Sequence, residues 1–233
     1  DKVIINGKKS FVLNGKEADI IIVPVRTSGS QTEAEGISLF IVESDTSGIL
    51  KNNYKTVDGH SASEITFKNV EVSKDNLLGE IGKGYQALES TVDDAILAVC
   101  AEATGIMKSL HDKTVEYSKN RVQFGVPIGG FQALQHRMVD TLMACEETES
   151  ILLWALTTSQ DDSSSLKKAI SGLKYQIGTA GKHVGQEAVQ LHGGMGISWE
   201  LDIAHFFKRL SSIEILFGNA DFHMKRFLML SNN

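Results

Sequence analysis

Two short stretches of this chain carry the residue types from which a binding site can be built. Arg121-Val122-Gln123-Phe124-Gly125, followed by Pro127-Ile128-Gly129-Gly130-Phe131-Gln132 and then Gln135, sets a cation, aromatic rings and several amides at a corner between helices. A guanidinium pairs with phosphate oxygens in a fixed fork, so this set suits a phosphate and a flat ring. The second stretch, His192-Gly193-Gly194-Met195-Gly196, is a glycine-rich break where backbone comes close to something, either another helix or an anionic ligand. Glycine is common at helix ends, and a single arginine at a helix C-terminus usually meets only the dipole and solvent. Each stretch alone is therefore a weak sign; their occurrence together is the stronger one.

Other chemistries lack their residues. The seven histidines form no H-E-x-x-H and the two cysteines no C-x-x-C, so no metal centre is expected. Ser163-Ser164-Ser165 stand in a polar run without the G-x-S-x-G turn that exposes a nucleophile. The glycines at 193, 194 and 196 lie between helices, not after the strand of a βαβ unit as a dinucleotide fingerprint requires. With 23 Lys and Arg against 29 Asp and Glu in 233 residues, a net charge of −6 argues against nucleic acid as a partner. At 42% hydrophobic and 22% charged, the chain can bury a sizeable core. No apolar run reaches the roughly 18–20 residues of a membrane helix, and the opening DKVIINGKKS lacks the form of a signal peptide. Cys100 and Cys145 sit in helix-like apolar stretches, which predicts buried thiols in a reducing compartment, inside a cell and unanchored.

The hydrophobic period changes near residue 75, which divides the chain into a β-strand domain at 1–75 and a helical bundle at 76–233. Short β-branched runs at 20–25, 37–42 and 64–72 read as strands, with Asn14-Gly15 and Asp58-Gly59 as turns. Thr27 to Gly36 has nothing to bury and reads as an exposed hairpin loop. Beyond Gly84, apolar residues recur every three or four positions, predicting helices over 84–119, 131–159, 166–191, 199–216 and 219–230. The polar run 160–165 and the HGGMG segment separate them. The expected fold is thus α+β and multidomain, an antiparallel β-domain followed by an up-down four-helix-type bundle.

RVQFGVPIGGFQALQHRMVD at 121–140 and QLHGGMG at 190–196 resemble the two signature regions of the acyl-CoA dehydrogenase family. INGKKSFVLNGKEADIIIVPVRT resembles that family's middle β-domain, and GKGYQALESTVDDA resembles the entry to its C-terminal bundle. The resemblance covers essentially the whole chain with the blocks in the family's order; the family's N-terminal helical domain has no counterpart, so the chain reads as beginning partway into the fold. It implies FAD held between subunits of a dimer or dimer of dimers, and removal of the α and β hydrogens of an acyl-CoA as a proton and a hydride. Carried over by position, Arg121 matches the arginine reaching the FAD pyrophosphate, with Gln123 and Phe124 beside it and Gln132 and Gln135 near the same half of the cofactor. Gln190, Gly193 and Gly194 match the positions that receive the adenosine diphosphate portion. Phe11 to Asn14 stands in place of the strand beside the isoalloxazine, where Leu13 cannot give the hydroxyl hydrogen bond of Thr or Ser.

The resemblance also implies a missing base. The usual glutamate position is Phe217, and the alternative position on the first bundle helix aligns with Ala95; a shift of one residue would substitute Asp94, which is shorter by one methylene. The family arginine after it aligns with Ile96, while Asp93 matches a family aspartate. Glu214 lies about one turn before Phe217 and is expected to point elsewhere. WELDIAHFFKRL and LFGNADFH resemble the base-lacking small or β subunits of heteromeric acyl-CoA dehydrogenases, which pair with a subunit bearing the glutamate. The expected partners are therefore an acyl-CoA, a second copy or a base-bearing paralogue, and an electron-transferring flavoprotein, in a bacterial cytoplasm or a mitochondrial matrix. Two readings compete: an active homomer using Asp94, and a scaffold that has kept the bundle for assembly and lost the cofactor.

Overall fold

The computed structural model describes residues 2–158 and 163–232. They form two compact units divided between Thr91 and Val92.

The first unit is built from two antiparallel sheets. One has the order β1 (Lys2–Leu13), β5 (Ser61–Ser73), β4 (Ile49–Lys55); the other is β2 (Ile20–Arg26), β3 (Ile37–Glu43), β6 (Leu77–Leu78). Alternation sets the inward face: Ile5 of β1, Val23 of β2, Phe40 and Val42 of β3, and Ile65, Phe67, Val70 and Val72 of β5 make one core. The three predicted strands are present. β4 was not delimited and β1 was anticipated only at Phe11 to Asn14, because β4 (ILKNNYK) is nearly all exposed and β1 is broken by register shifts at Ile5/Gly7 and Lys9/Val12. Phe11 and Asn14 adopt positive φ, 55° and 52°, so at Asn14-Gly15 the left-handed residue is the asparagine, whereas at Asp58-Gly59 it is Gly59 at 86°.

The stretch 27–36 is the hairpin loop between β2 and β3. It has a centre after all: the Arg26 guanidinium donates to the carbonyls of Ser28, Gln31, Glu33 and Glu35, at 3.1, 3.4, 2.5 and 2.9 Å.

The second unit is helical: α1 (Tyr85–Asn120, which begins within the first unit), α2 (Gln132–Thr157), α3 (Ser163–Gln176), α4 (Lys182–His192), α5 (Asp202–Ile215) and α6 (Ala220–Ser231). Ile96, Cys100, Ala103, Met107 and Leu110 of α1 enter the core at helical spacing, against Ile170 and Leu173 of α3, Val184 of α4 and Ile213 of α5. Both cysteines are buried without a disulfide, and burial pushes their thiols up to about 12 for Cys100 and about 11 for Cys145.

Three expectations shift. The segment 166–191 is α3 and α4 joined by a π-helical turn at Ile177–Gly181. That wider turn fits the close approach of α6, since a Cβ on Gly178 would stand 2.8 Å from the Cβ of Ala220. Ser163 to Ser165, expected in a linker, open α3; the expected helix end at Ser159 and the polar residues 160–162 lie outside the described residues. The helix expected from Trp199 starts at Asp202.

Candidate functional site

A hollow of about 380 Å³ opens in the second unit between the end of α1 and the end of α4, lined by Tyr117, Arg121, Gln123, Gln190, Gly193 and Gly194, among others. Two segments nearly seventy residues apart in the chain thus meet. Arg121 follows α1, is exposed, and its carbonyl accepts from the Ile128 amide at 2.8 Å, which closes the short β7–β8 ribbon (Val122–Gln123 and Val126–Pro127) back onto the helix. Its guanidinium makes no ion pair among the described residues.

The glycines divide by cause. A Cβ at Gly196 would lie 2.5 Å from the Val189 carbonyl oxygen, so packing demands glycine there. At Gly194 a Cβ would meet nothing within 4 Å and φ is ordinary, so nothing within the described chain requires it. Gly193 also has open space but sits at φ 59° and ψ −140°, a conformation that disfavours side chains. The bare backbone faces a hollow with an unpaired arginine at its rim, which is what a diphosphate needs.

Not every predicted residue enters the hollow. Gln123 lines it, but its amide donates to the neighbouring Val122 carbonyl at 2.7 Å. Gln135 ties α2 to the turn before it through the Gly129 carbonyl at 2.8 Å, and Gln132 opens α2 in an exposed position. Phe124 stands outside, 92% exposed at φ 55°, edge-on to Phe131 with ring centroids 6.1 Å apart. A large ring thus stands in solvent on backbone that phenylalanine seldom adopts. Leu13 ends β1 in the first unit, paired with Ala62 and partly exposed.

Two residues were missed. Tyr117 and His192 stack with ring centroids 4.3 Å apart and both line the hollow. His192 donates Nδ1–H to the Ala188 carbonyl at 2.8 Å, and burial pushes its pKa down. The available signal was spacing: Tyr117 is one turn before Arg121, and His192 directly precedes the glycines.

A larger hollow of about 530 Å³ lies in the first unit, lined by the 27–36 loop together with Ile81, Lys83 and Tyr85. Lys83 is paired with Glu80 at 2.6 Å, and Glu33 and Glu35 add negative charge, so this hollow is less suited to an anion than the one at Arg121.

The aligned base positions lie elsewhere in the helical unit. Phe217 is half-buried against the core at φ 58° in the turn between α5 and α6. Ala95 is partly buried on α1 and Asp94 is exposed. Asp93 is buried and bound by both arms of Arg226, at 2.7 and 2.9 Å. Glu214 accepts the Ala220 amide at 3.3 Å, capping α6. Beneath the turn, Lys174 is fully buried and donates Nζ to the carbonyls of Glu214 and Gly218 at 2.8 Å each; burial pushes its pKa down. His223, also fully buried, donates Nε2–H to the Phe217 carbonyl at 3.0 Å, while its Nδ1 has no partner among the described residues.

Burial lowers His223 to about 4, with the Lys174 and Arg226 charges adding to the effect. Between the unfolded value near 6.5 and that figure the unfolded chain binds more protons. Stability is therefore complete above about pH 6.5 and falls by roughly 1.4 kcal/mol per unit toward pH 4. In His223→Gln, which keeps a donor, thermal melts between pH 7 and 4 should lose this part of the slope; an unchanged slope would assign the titration to other groups.

No helix among the described residues is long and apolar enough to cross a membrane, and they contain no cluster of His, Cys, Asp and Glu that could hold a metal. The acyl-CoA dehydrogenase middle domain matches residues 1–70 and the C-terminal domain of the same family matches 82–229. The chain belongs to the acyl-CoA dehydrogenase family, whose members are flavin-dependent oxidoreductases. It is 33% identical over 223 residues to a short-chain-specific acyl-CoA dehydrogenase of Megasphaera elsdenii, across 92% of this chain and 56% of that protein. It is 29% identical to a subunit of the caffeyl-CoA reductase–Etf complex of Acetobacterium woodii, across 89% of this chain and 55% of that one. The solved structure of PigA with FAD and proline superposes with a TM-score of 0.91 at 26% identity, covering 98% of this chain and 60% of that one. The chain spans a little over half the length of the curated relatives it matches.

Proposed function

We propose that this chain is a flavin-binding subunit of an acyl-CoA dehydrogenase, acting in α,β-dehydrogenation of an acyl-CoA thioester, and that it lacks its own proton-abstracting group. The observation that carries the flavin part is the floor at Gly194, left bare where no packing requires it, beside the unpaired Arg121. Arg121 would hold the FAD pyrophosphate, and the backbone at 193–194 with Gln190 would receive the adenosine portion. FAD, when bound, supplies the acceptor for the hydride of the β-carbon.

Removing the α-proton needs a carboxylate within reach of the α-carbon. Phe217 and Ala95 offer hydrocarbon at the two family positions. Asp93 is engaged by Arg226 and Glu214 by α6, and the exposed Asp94 has a shorter reach. A base supplied by a partner subunit, a paralogue with the glutamate, accounts for all of these, and the exposed Phe124 suits an assembly of two or four subunits. An electron-transferring flavoprotein is the acceptor that the Etf-complex relative supports, and a bacterial cytoplasm the matching compartment.

The test is an absorbance spectrum from 300 to 550 nm after FAD addition and gel filtration, followed by butanoyl-CoA. The expected result is a retained flavin band that acyl-CoA does not bleach until a base-bearing partner is added, and the same behaviour in Asp94→Asn. Bleaching by the protein alone that Asp94→Asn abolishes would replace this reading with an active homomer. A protein that stays colourless would replace it with a scaffold.

A further inference from the structure

Three carbonyls at the end of α5 and in the turn that follows it, those of Glu214, Phe217 and Gly218, each take a side-chain donor from within the bundle: Lys174 bonds the first and third, His223 the second. The backbone between them is left-handed, with φ of 58° at Phe217 and 105° at Gly218. Glycine adopts this freely; phenylalanine does so only where surroundings hold it. Asn219 then caps α6 by accepting the Phe222 amide at 3.0 Å.

The identity of the clamp is the informative part. Lys174 is fully buried and forms no ion pair among the described residues, so its ammonium is answered by main-chain oxygen. An ammonium out of water is unfavourable where packing alone is wanted, since a methionine would fill the same space without a charge. Its three rotatable donors can instead gather carbonyls that point in different directions. His223 likewise leaves Nδ1 without a partner while Nε2 reaches the one carbonyl that Lys174 does not.

We infer that Lys174 and His223 are positioning residues that fix, through the carbonyls of residues 214, 217 and 218, the direction in which side chain 217 leaves the turn. Position 217 is thereby a preset mount for a group acting on the acyl chain, filled here by a phenyl ring. The second half rests on the proposed function, in which residue 217 stands where the family carries its base.

Two readouts separate the halves. In hydrogen–deuterium exchange on the full protein, Lys174→Met and His223→Leu should each speed exchange of the 216–220 amides by roughly 10–100-fold, the effect of losing a charge-assisted or buried bond, with α2 amides nearly unchanged. His223→Gln, which can still donate, should restore slow exchange. Unchanged turn amides, or a rise shared evenly by the whole bundle, overturns the clamp; if Lys174→Met does not fold, the two His223 variants decide alone. In FAD-loaded protein carrying Phe217→Glu, with loading read from the flavin band, butanoyl-CoA should bleach the flavin. Adding His223→Leu should slow bleaching about tenfold, with the half-saturating acyl-CoA concentration little changed. Loaded protein with altered exchange but no bleaching from Phe217→Glu overturns the mount and leaves the clamp standing.

Discussion

Gly194→Val is expected to leave the fold intact and weaken FAD binding by about 100-fold or more. The added carbons enter open space in the chain itself, since a Cβ at 194 has no neighbour within 4 Å, so melting temperature should hardly move. They occupy the volume where the ligand meets backbone, and overlap of this kind costs about 1–3 kcal/mol for each group that must be displaced. Arg121→Ala should act in the same direction by roughly 10–100-fold, through loss of charge-assisted bonds to phosphate. Gly196→Ala provides the contrast: its Cβ would collide with the Val189 carbonyl, so stability falls whether or not flavin is present. Flavin fluorescence titrations alongside melts of the three variants check this. Wild-type FAD affinity in Gly194→Val would place the flavin elsewhere.

Arg226→Met is expected to lower stability by about 3–5 kcal/mol, the cost of leaving a buried carboxylate without its partner. The Asp93 side chain is 7% exposed and that of Arg226 19%, and the two share a bidentate pair that ties α6 to α1. The charge is poorly placed to recover solvation once the guanidinium is gone. Asp93→Leu combined with Arg226→Met should regain more than half of the loss, because replacing both partners removes the uncompensated charge. Urea unfolding of the single and double variants measures both figures. A loss below about 1 kcal/mol in Arg226→Met would mean that water or another cation reaches Asp93.

The helices were legible because their cores are contributed at regular spacing, as Ile96, Cys100, Ala103, Met107 and Leu110 show. Most of β1 and all of β4 were not, since one is interrupted by bulges and the other buries almost nothing. The π turn at 177–181 packs closely on Ala220, some forty residues away, and no local pattern announces it. Arg121 and the 193–194 glycines, singled out by residue type, line one hollow of the bundle. Tyr117 was hidden because a ring at helical spacing reads as core until its stacking partner His192 is in place. Lys174 was hidden for a related reason: a lysine in a polar-looking helix reads as surface, and only the turn brought over it by α5 and α6 buries its ammonium.

The ten-residue loop between β2 and β3 is closed at its neck by the Gly36 carbonyl, which accepts from the Thr27 and Ser28 amides, and is held inside by one guanidinium that gathers four of its carbonyls. Bonds that share a donor group do not break independently: when Arg26 swings away, all four are lost in one event. The interior order of the loop therefore depends on a single side chain. A change in loop sequence that preserves its carbonyl geometry would keep that order, while loss of the guanidinium at residue 26 would remove all four bonds together.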